Sequence, residues 1–286
     1  MTTDNINSGI EVCKYAPAEL LRVLADERYI TEEDVLLHKT EKLCFFLNYF
    51  DPKKGGHTAN TMVVEHTYMS QSFQRDYANF YASVFHPYER DCKRIHFFEA
   101  SFKQDRFMQA VLEPSADDEE IWRSYLGYIV IRPLARSLIG ATILKPYPEN
   151  GTGRRYPVTR KYKVNLCGKK LRIKSLVFQE QDAVVGSCSS SALWMAFHKT
   201  SMKGVFQSRL PSPSEITKSV RSPISEFSGR IFPNEQFTLQ QILEAIHAAG
   251  LESELINSDL IRQIHYFKAV LYAYVRMGLP VLLLLS

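Results

Sequence analysis

The segment 178–198, FQEQDAVVGSCSSSALWMAFH, places a cysteine close to neutral hydrogen-bond donors. Small and apolar residues follow Cys188 at helical spacing, which predicts a helix that begins at the cysteine. Free backbone N–H groups and the positive end of a helix stabilise a thiolate, and the N–H of Cys188 can point at a developing oxyanion. Gln181, seven residues earlier, adds a carboxamide donor that does not titrate. These residue types favour thiol chemistry, with Cys188 as nucleophile and Gln181 at the oxyanion site.

Three neighbouring residues are further candidates for the oxyanion site or for its loop, namely Gln179, Asp182 and Ser187. We expect Asp182 to shape the loop rather than to act chemically. The alternative interpretation makes Cys188 an ordinary core residue, since free cysteine is among the most buried residue types. The serines, the glycine and the two glutamines around Cys188 argue against a plain core position.

A glutamine, a short loop, a cysteine and then an apolar helix resemble the start of a papain-like cysteine peptidase. The segment is most similar to the bacteriocin-leader peptidases, the double-glycine-cleaving group, in which a glutamine precedes the cysteine by six or seven residues. Gln181 fits that spacing, whereas Gln179 precedes Cys188 by nine residues. Cys-Ser-Ser-Ser replaces the family's usual Cys-Gly-Pro or Cys-Gly-Ala. The resemblance covers about 170–286 and rests mainly on this motif and on the order of elements.

The elements expected after the cysteine helix follow the order of that family. The segment 237–250 predicts a helix with a Thr238–Gln241 capping box, and 259–278 predicts another helix. Strands are expected at 251–256 and 280–285, the second one apolar on both faces. In the family, that last strand precedes a hairpin carrying the catalytic His, followed by an Asp or Asn. The sequence ends at 286, so the resemblance assigns neither residue here.

Three explanations for the missing base stay open. The chain is truncated, or it is a degenerate peptidase that only binds, or another histidine substitutes. His198 lies ten residues after Cys188 on the predicted helix, about 15 Å away by helix rise, and cannot reach the thiol. His247 is the candidate for such a substitute base, although the plainer interpretation is that it is a structural histidine at a surface or half-buried position.

The composition, with 45% hydrophobic and 12% aromatic residues in 286, is that of a globular protein rather than a disordered chain. The five cysteines show no metal-ligand spacing, so neither structural zinc nor another cofactor is expected. The chain has no basic leader before an apolar core and no 18-residue apolar run. We therefore expect no signal peptide and no membrane association, and a cytoplasmic protein with free thiols.

The remaining patterns predict an α+β fold in two parts. A mixed α/β region over 1–155 matches no enzyme motif, and we expect it to recognise a substrate or partner. The segment 148–153, PENGTG, is the best linker or turn. Residues 156–286 are expected to form a papain-like domain with an antiparallel sheet, incomplete at its C-terminus.

A basic stretch from Arg154 to Lys174 contains nine basic residues and no acidic one, with apolar residues interleaved. This pattern predicts two strands joined near Cys167–Gly168 with a basic solvent face. The face is either simply solvated or a nucleic-acid surface on which Lys169, Lys170 and Arg172 neutralise phosphates.

The sequence thus favours a cytosolic thiol hydrolase that cleaves peptide or isopeptide bonds. An inactive papain-like module that binds a peptide or protein partner is the alternative. A nucleic-acid-binding protein that uses 154–174 is the second alternative.

Overall fold

A computed structural model describes residues 9–25, 44–85, 87–134, 137–149, 151, 153–182, 188–201, 209–220, 237–256 and 264–284. These residues form helices and an antiparallel sheet, so the α+β class is confirmed. The strands are β1 (Ile10–Lys14), β2 (Thr61–Tyr68), β3 (Cys92–Phe98), β4 (Tyr125–Ile131), β5 (Ile139–Leu144), β6 (Arg160–Leu166) and β7 (Lys169–Phe178). The helices are α1 (Pro17–Leu24), α2 (44–49 in its described part), α3 (Gln71–Asn79), α4 (Gln104–Leu112), α5 (Glu119–Arg123), α6 (Cys188–Thr200), α7 (Pro213–Ser219), α8 (Leu239–Ala248) and α9 (Ile264–Arg276).

The seven strands lie in the order β1-β2-β3-β4-β5-β7-β6. The pairs from β1 to β5 are antiparallel, with His96 of β3 opposite Tyr128 of β4. The predicted basic hairpin is confirmed as β6 and β7, which continue the sheet begun by the earlier strands. Its turn consists of Cys167 (φ 48°) and Gly168 (φ 86°), the two positive φ angles that a type I′ turn needs.

The apolar core of the first five strands is closed by α1 and α2. Gly127 in β4 allows a close approach to β5, because a Cβ at this position would lie 2.1 Å from the carbonyl oxygen of Ile143. Its φ of 121° is also a conformation that favours glycine. Large buried members of this core include Leu20, Phe46, Met62, Ile95, Phe97, Leu126, Ile129 and Leu138.

Contacts divide the chain into two compact units that are not continuous in sequence. The first unit comprises 1–70, 89–155 and 161–175, and the second comprises 71–88, 156–160 and 176–286. Most of the β6–β7 hairpin therefore belongs with the strands that precede it. The expected division at 155/156 stays a prediction about domains.

The second unit joins α3 to α7 through buried polar contacts. Asp76, which is buried, accepts a hydrogen bond from the Ser214 backbone N–H at 3.0 Å. The amide of Asn79 donates to the Ser214 hydroxyl at 3.0 Å. A capping box between Ser212 and Glu215 begins α7. These bonds hold together segments almost 140 residues apart.

A buried polar network links β2, β3 and β4 in the first unit. The His96 ring lies 3.0 Å from the Glu65 carboxylate through Nε2 and 2.9 Å from the Tyr125 hydroxyl through Nδ1. Arg94 pairs with the same carboxylate and donates to the Asn165 carbonyl at 2.7 Å. Complete burial lowers the pKa of His96 to about 4. Burial opposes ionisation of Glu65, but its hydrogen bonds to His96 and Arg94 lower its pKa.

Several predicted elements are confirmed and two are wrong. The helices α8 and α9 are present, with Gly250 (φ 74°) just after α8. The expected strands at 251–256 and 280–285 are wrong, since 251–256 and 279–284 carry no strand and residue 285 lies outside the described residues. Leu255 is 58% exposed and Leu283 53%. A strand needs a neighbouring backbone for its N–H and C=O groups, and apolar composition alone does not provide one.

In the N-terminal region the described helices are α1 and α2, and 26–43 between them lie outside the described residues. The strand β1 was not predicted. None of the described helices is long and apolar enough to span a bilayer.

We expect acid to destabilise the first unit through His96. The pKa of about 4 in the folded state lies below the ordinary value of 6.5, so the unfolded chain binds the proton first as the pH falls. The free energy of unfolding therefore decreases as the pH falls from 6.5 toward 4, by about 2 kcal/mol between pH 7 and pH 5. Urea unfolding of the wild type and His96→Gln at pH 7, 6 and 5 measures this term as a difference between the two proteins. The same pH dependence in both proteins would contradict it.

Candidate functional site

Cys188 is the first residue of α6 and the one exposed residue of that helix. Every other residue of α6 is buried or half-buried, and Leu193, Trp194 and Phe197 form its most covered stripe. The helix is predicted correctly, and the interpretation of Cys188 as a core residue is excluded by its exposure. A well-packed helix thus presents a single thiol to solvent at its N-terminal end, where backbone N–H groups have no partner within the helix.

The C-terminal end of α6 is held by two basic side chains. Arg160 donates to the His198 carbonyl at 2.9 Å and to the Ser201 hydroxyl at 2.7 Å. Lys199 donates to the carbonyls of Pro157 and Thr159 at 3.2 and 3.1 Å. Cations at this end complement the helix dipole and satisfy terminal carbonyls. The helix that carries Cys188 is therefore fixed at the end away from the thiol.

Gln181 contacts Cys188 directly. The thiol donates a hydrogen bond to the side-chain carbonyl oxygen of Gln181. Cys188 makes no other side-chain bond within the described part of the chain, whose residues 183–187 are not included. The structure therefore brings together the two residues that the sequence placed in the principal roles.

Two of the three secondary candidates, Gln179 and Asp182, are among the described residues. Gln179 is buried, directly after β7, and Asp182 is half-buried beside Gln181. Ser187 lies outside the described residues. Sequence reasoning missed Glu180, a carboxylate only 5% exposed between the two glutamines. It also missed Ser191, whose buried hydroxyl has no hydrogen-bond partner among the described residues. Neither residue differs in type from an ordinary surface residue, so no sequence signal distinguishes them.

Among the described residues, no histidine is hydrogen-bonded to the Cys188 thiol. His198 packs against the Trp194 ring at 4.3 Å between centroids, and burial followed by the charge of Arg160 lowers its pKa to about 3. His247 is exposed, with Nδ1 3.6 Å from a carboxylate oxygen of Glu252. The proposed substitution of His247 for the missing base stays a prediction. With this lowered pKa, His198 is neutral at ordinary pH. It lies ten residues after Cys188 on α6, too far along the helix to reach the thiol.

The histidines of the first unit have their own partners. His57 donates from Nε2 to the Pro146 carbonyl at 2.9 Å, and His66 pairs with Glu11 at 2.8 Å. His96 belongs to the network with Glu65. The side chains of His38 and His86 lie outside the described residues.

One group of side chains has the donor types of a metal site. Ligand atoms of Glu11, Cys13 and Glu19 lie within 4.8 Å of one another. Arg22 donates to both carboxylates, so a guanidinium already neutralises them. Burial, followed by the charges of Glu11 and Glu19, raises the pKa of the Cys13 thiol to about 12. These residues therefore form an ion-pair cluster, and we assign no metal to it.

Comparison with known proteins finds no match for this chain. No family model matches the chain, and no curated protein or solved structure matches it. The assignment of the site therefore depends on its residues and their geometry alone.

We expect the five thiols to separate into two reactivity classes under brief alkylation at pH 7.5. Burial is the largest cause raising the pKa of Cys13 and Cys92 to about 12 and that of Cys167 to about 11, whereas Cys188 and Cys44 are exposed. Because the thiolate is the reactive form, the first three should label at least about 100-fold more slowly. Peptide mapping by mass spectrometry after limited iodoacetamide treatment measures the rates. Labelling of Cys92 as fast as that of Cys188 would contradict this arrangement.

Proposed function

We propose that the protein is a thiol hydrolase that cleaves peptide or isopeptide bonds, with Cys188 as the nucleophile. The observation that carries the proposal is the bond between the Cys188 thiol and the Gln181 carboxamide at the exposed start of α6. A helix N-terminus stabilises a thiolate, and a carboxamide stabilises an oxyanion without titrating itself. The resemblance to papain-like peptidases of the bacteriocin-leader group supports the same roles.

The Gln181 side chain can serve two successive states of the reaction because a carboxamide both accepts and donates. In the resting thiol its carbonyl oxygen accepts a hydrogen bond from the S–H group. Once the thiolate has attacked the substrate carbonyl, a half-turn of the carboxamide presents its N–H₂ group to the new oxyanion. The Cys188 backbone N–H is the second donor of this proposed oxyanion site.

The bonds that form and break in this proposed reaction require a base and a water molecule as well. Attack forms a C–S bond and moves the carbonyl electron pair onto oxygen; collapse then breaks the C–N bond. The proton that leaves the thiol must reach the departing amine through a base, and water then hydrolyses the thioester. A peptide or protein substrate and a cytoplasmic location belong to this proposal, since the five cysteines are free thiols.

A fluorogenic peptide ending in Gly-Gly-aminomethylcoumarin tests the proposed activity. Cys188→Ala should abolish release of the fluorophore, because the nucleophile is removed. Gln181→Ala should lower kcat by about 10²–10³ with a much smaller change in KM, as loss of one oxyanion donor does.

Cys44→Ala is the matched control, because Cys44 is the other exposed thiol. This variant should hydrolyse the peptide at the wild-type rate. Full hydrolysis by Cys188→Ala would rule out Cys188 as the nucleophile. An equal loss of activity in Cys44→Ala and Cys188→Ala would show that the signal does not come from the α6 site.

A second candidate function is peptide binding without hydrolysis. It is favoured by one observation: within the described residues, the side-chain partner of Cys188 is Gln181 and not a histidine. A module of this kind would bind the same peptide in the wild type and in Cys188→Ala with similar affinity and release no fluorophore. Calorimetric titration beside the rate measurement separates the two candidates.

A further inference from the structure

The outward face of the β6–β7 hairpin is strongly basic. Burial alternates along both strands, so that every second side chain points to solvent and the others point into the core. We call the exposed set the basic face; its five cations are Lys161, Lys163, Lys170, Arg172 and Lys174.

These five cations have no neutralising partner within the described part of the chain. None of them makes an ion pair with any residue in the ranges that the structure describes. Lys169, which the sequence grouped with Lys170 and Arg172, lies apart from them: its ammonium is 3.8 Å from Glu119 and 5.2 Å from the centre of the Trp122 ring. Lys169 is therefore removed from the predicted nucleic-acid surface.

The hairpin holds like charges against each other. The register that a two-residue turn at Cys167–Gly168 imposes places Lys163 opposite Arg172 and Lys161 opposite Lys174. Like charges directly opposite on one face destabilise a strand pair. No described acidic side chain offsets this repulsion, which is the pattern of a surface whose counter-charge comes from a ligand.

Protection of a sheet edge does not account for the pattern. Lysines on an edge strand prevent unwanted pairing, and β6 is such an edge. β7 lies between β5 and β6 and is paired on both sides, so Lys170, Arg172 and Lys174 protect no edge. Three of the five cations therefore need a different explanation.

We propose that the basic face binds the phosphate backbone of a nucleic acid. Alternate residues on a strand are about 7 Å apart, so each strand presents a regular row of cations, and the two rows form a ribbon about 14 Å long. A narrow ribbon of regularly spaced charge fits a polymer of regularly spaced phosphates. Affinity then comes from release of condensed counterions, and phosphate contacts carry no sequence information.

Fluorescence anisotropy with a labelled 20-base-pair DNA duplex tests this proposal on the full chain. With five phosphates neutralised, log K should fall against log salt with a slope of about −4.5. The triple variant Lys163→Gln, Lys170→Gln, Arg172→Gln should bind at least about 10-fold more weakly at 100 mM salt and reduce the slope by about 3. Duplexes of different sequence should bind equally.

A control variant with the same charge change elsewhere in the first unit is Lys53→Gln, Lys54→Gln, Lys103→Gln, all at exposed positions. It should bind DNA almost as the wild type does. The triple variant of the basic face should also unfold at a higher urea concentration than the wild type, because it loses cross-strand repulsion, so weaker binding cannot be ascribed to misfolding.

Equal binding by the wild type and the triple variant, or equal loss in the control variant, overturns the proposal. The proposal is also overturned if the basic face binds vesicles containing 30% phosphatidylserine but not DNA, since the partner would then be a membrane. Retention of the salt slope in the triple variant overturns it in the same way.

Discussion

The two-residue alternation of β7 is the constraint on which the other features depend. Leu171, Ile173, Ser175 and Val177 of this strand are buried, while Lys170, Arg172, Lys174 and Leu176, which alternate with them, face solvent. A slip of one residue would place cations in the core and apolar side chains in water. Since an unpaired buried charge is very costly, the register is strongly determined. The same strand extends the sheet, exposes the basic face and ends at Phe178, three residues before Gln181.

The candidate site is built from neutral groups and a helix end rather than from charges. Gln181 both accepts from the resting thiol and can donate to an oxyanion, and the first turn of α6 supplies backbone N–H groups. The tight covering of α6 fixes the helix that carries Cys188. Positioning of this kind is what a nucleophile needs, because rates fall steeply when reacting atoms are displaced by about 1 Å.

The sequence predicted correctly several elements that are determined by residues close to one another in the chain. The small residues after Cys188, the Thr238–Gln241 box and the alternation of β6 and β7 each specify an element without distant help, and each is confirmed.

Predictions were wrong or absent where distant partners decide the structure. The strand β1 has a mixed composition and exists because β2 pairs with it, and the membership of α3 in the second unit follows from Asp76 and Ser214. Residues 280–284 show the converse, since their apolar composition predicted a strand for which the described chain provides no neighbour. The burial of Glu180 likewise depends on tertiary packing, which a single sequence does not display.

The most direct test of the central claim, that Cys188 and Gln181 form one reacting unit, is the affinity of a peptide aldehyde. An aldehyde adds reversibly to a catalytic thiol and places an oxyanion where the carboxamide would stabilise it, whereas the matching alcohol forms no adduct. Inhibition constants of both compounds should be measured for the wild type and Gln181→Ala. The account predicts a loss of about 10²–10³ in aldehyde affinity, with alcohol affinity unchanged. Equal aldehyde affinity in the two proteins would contradict it.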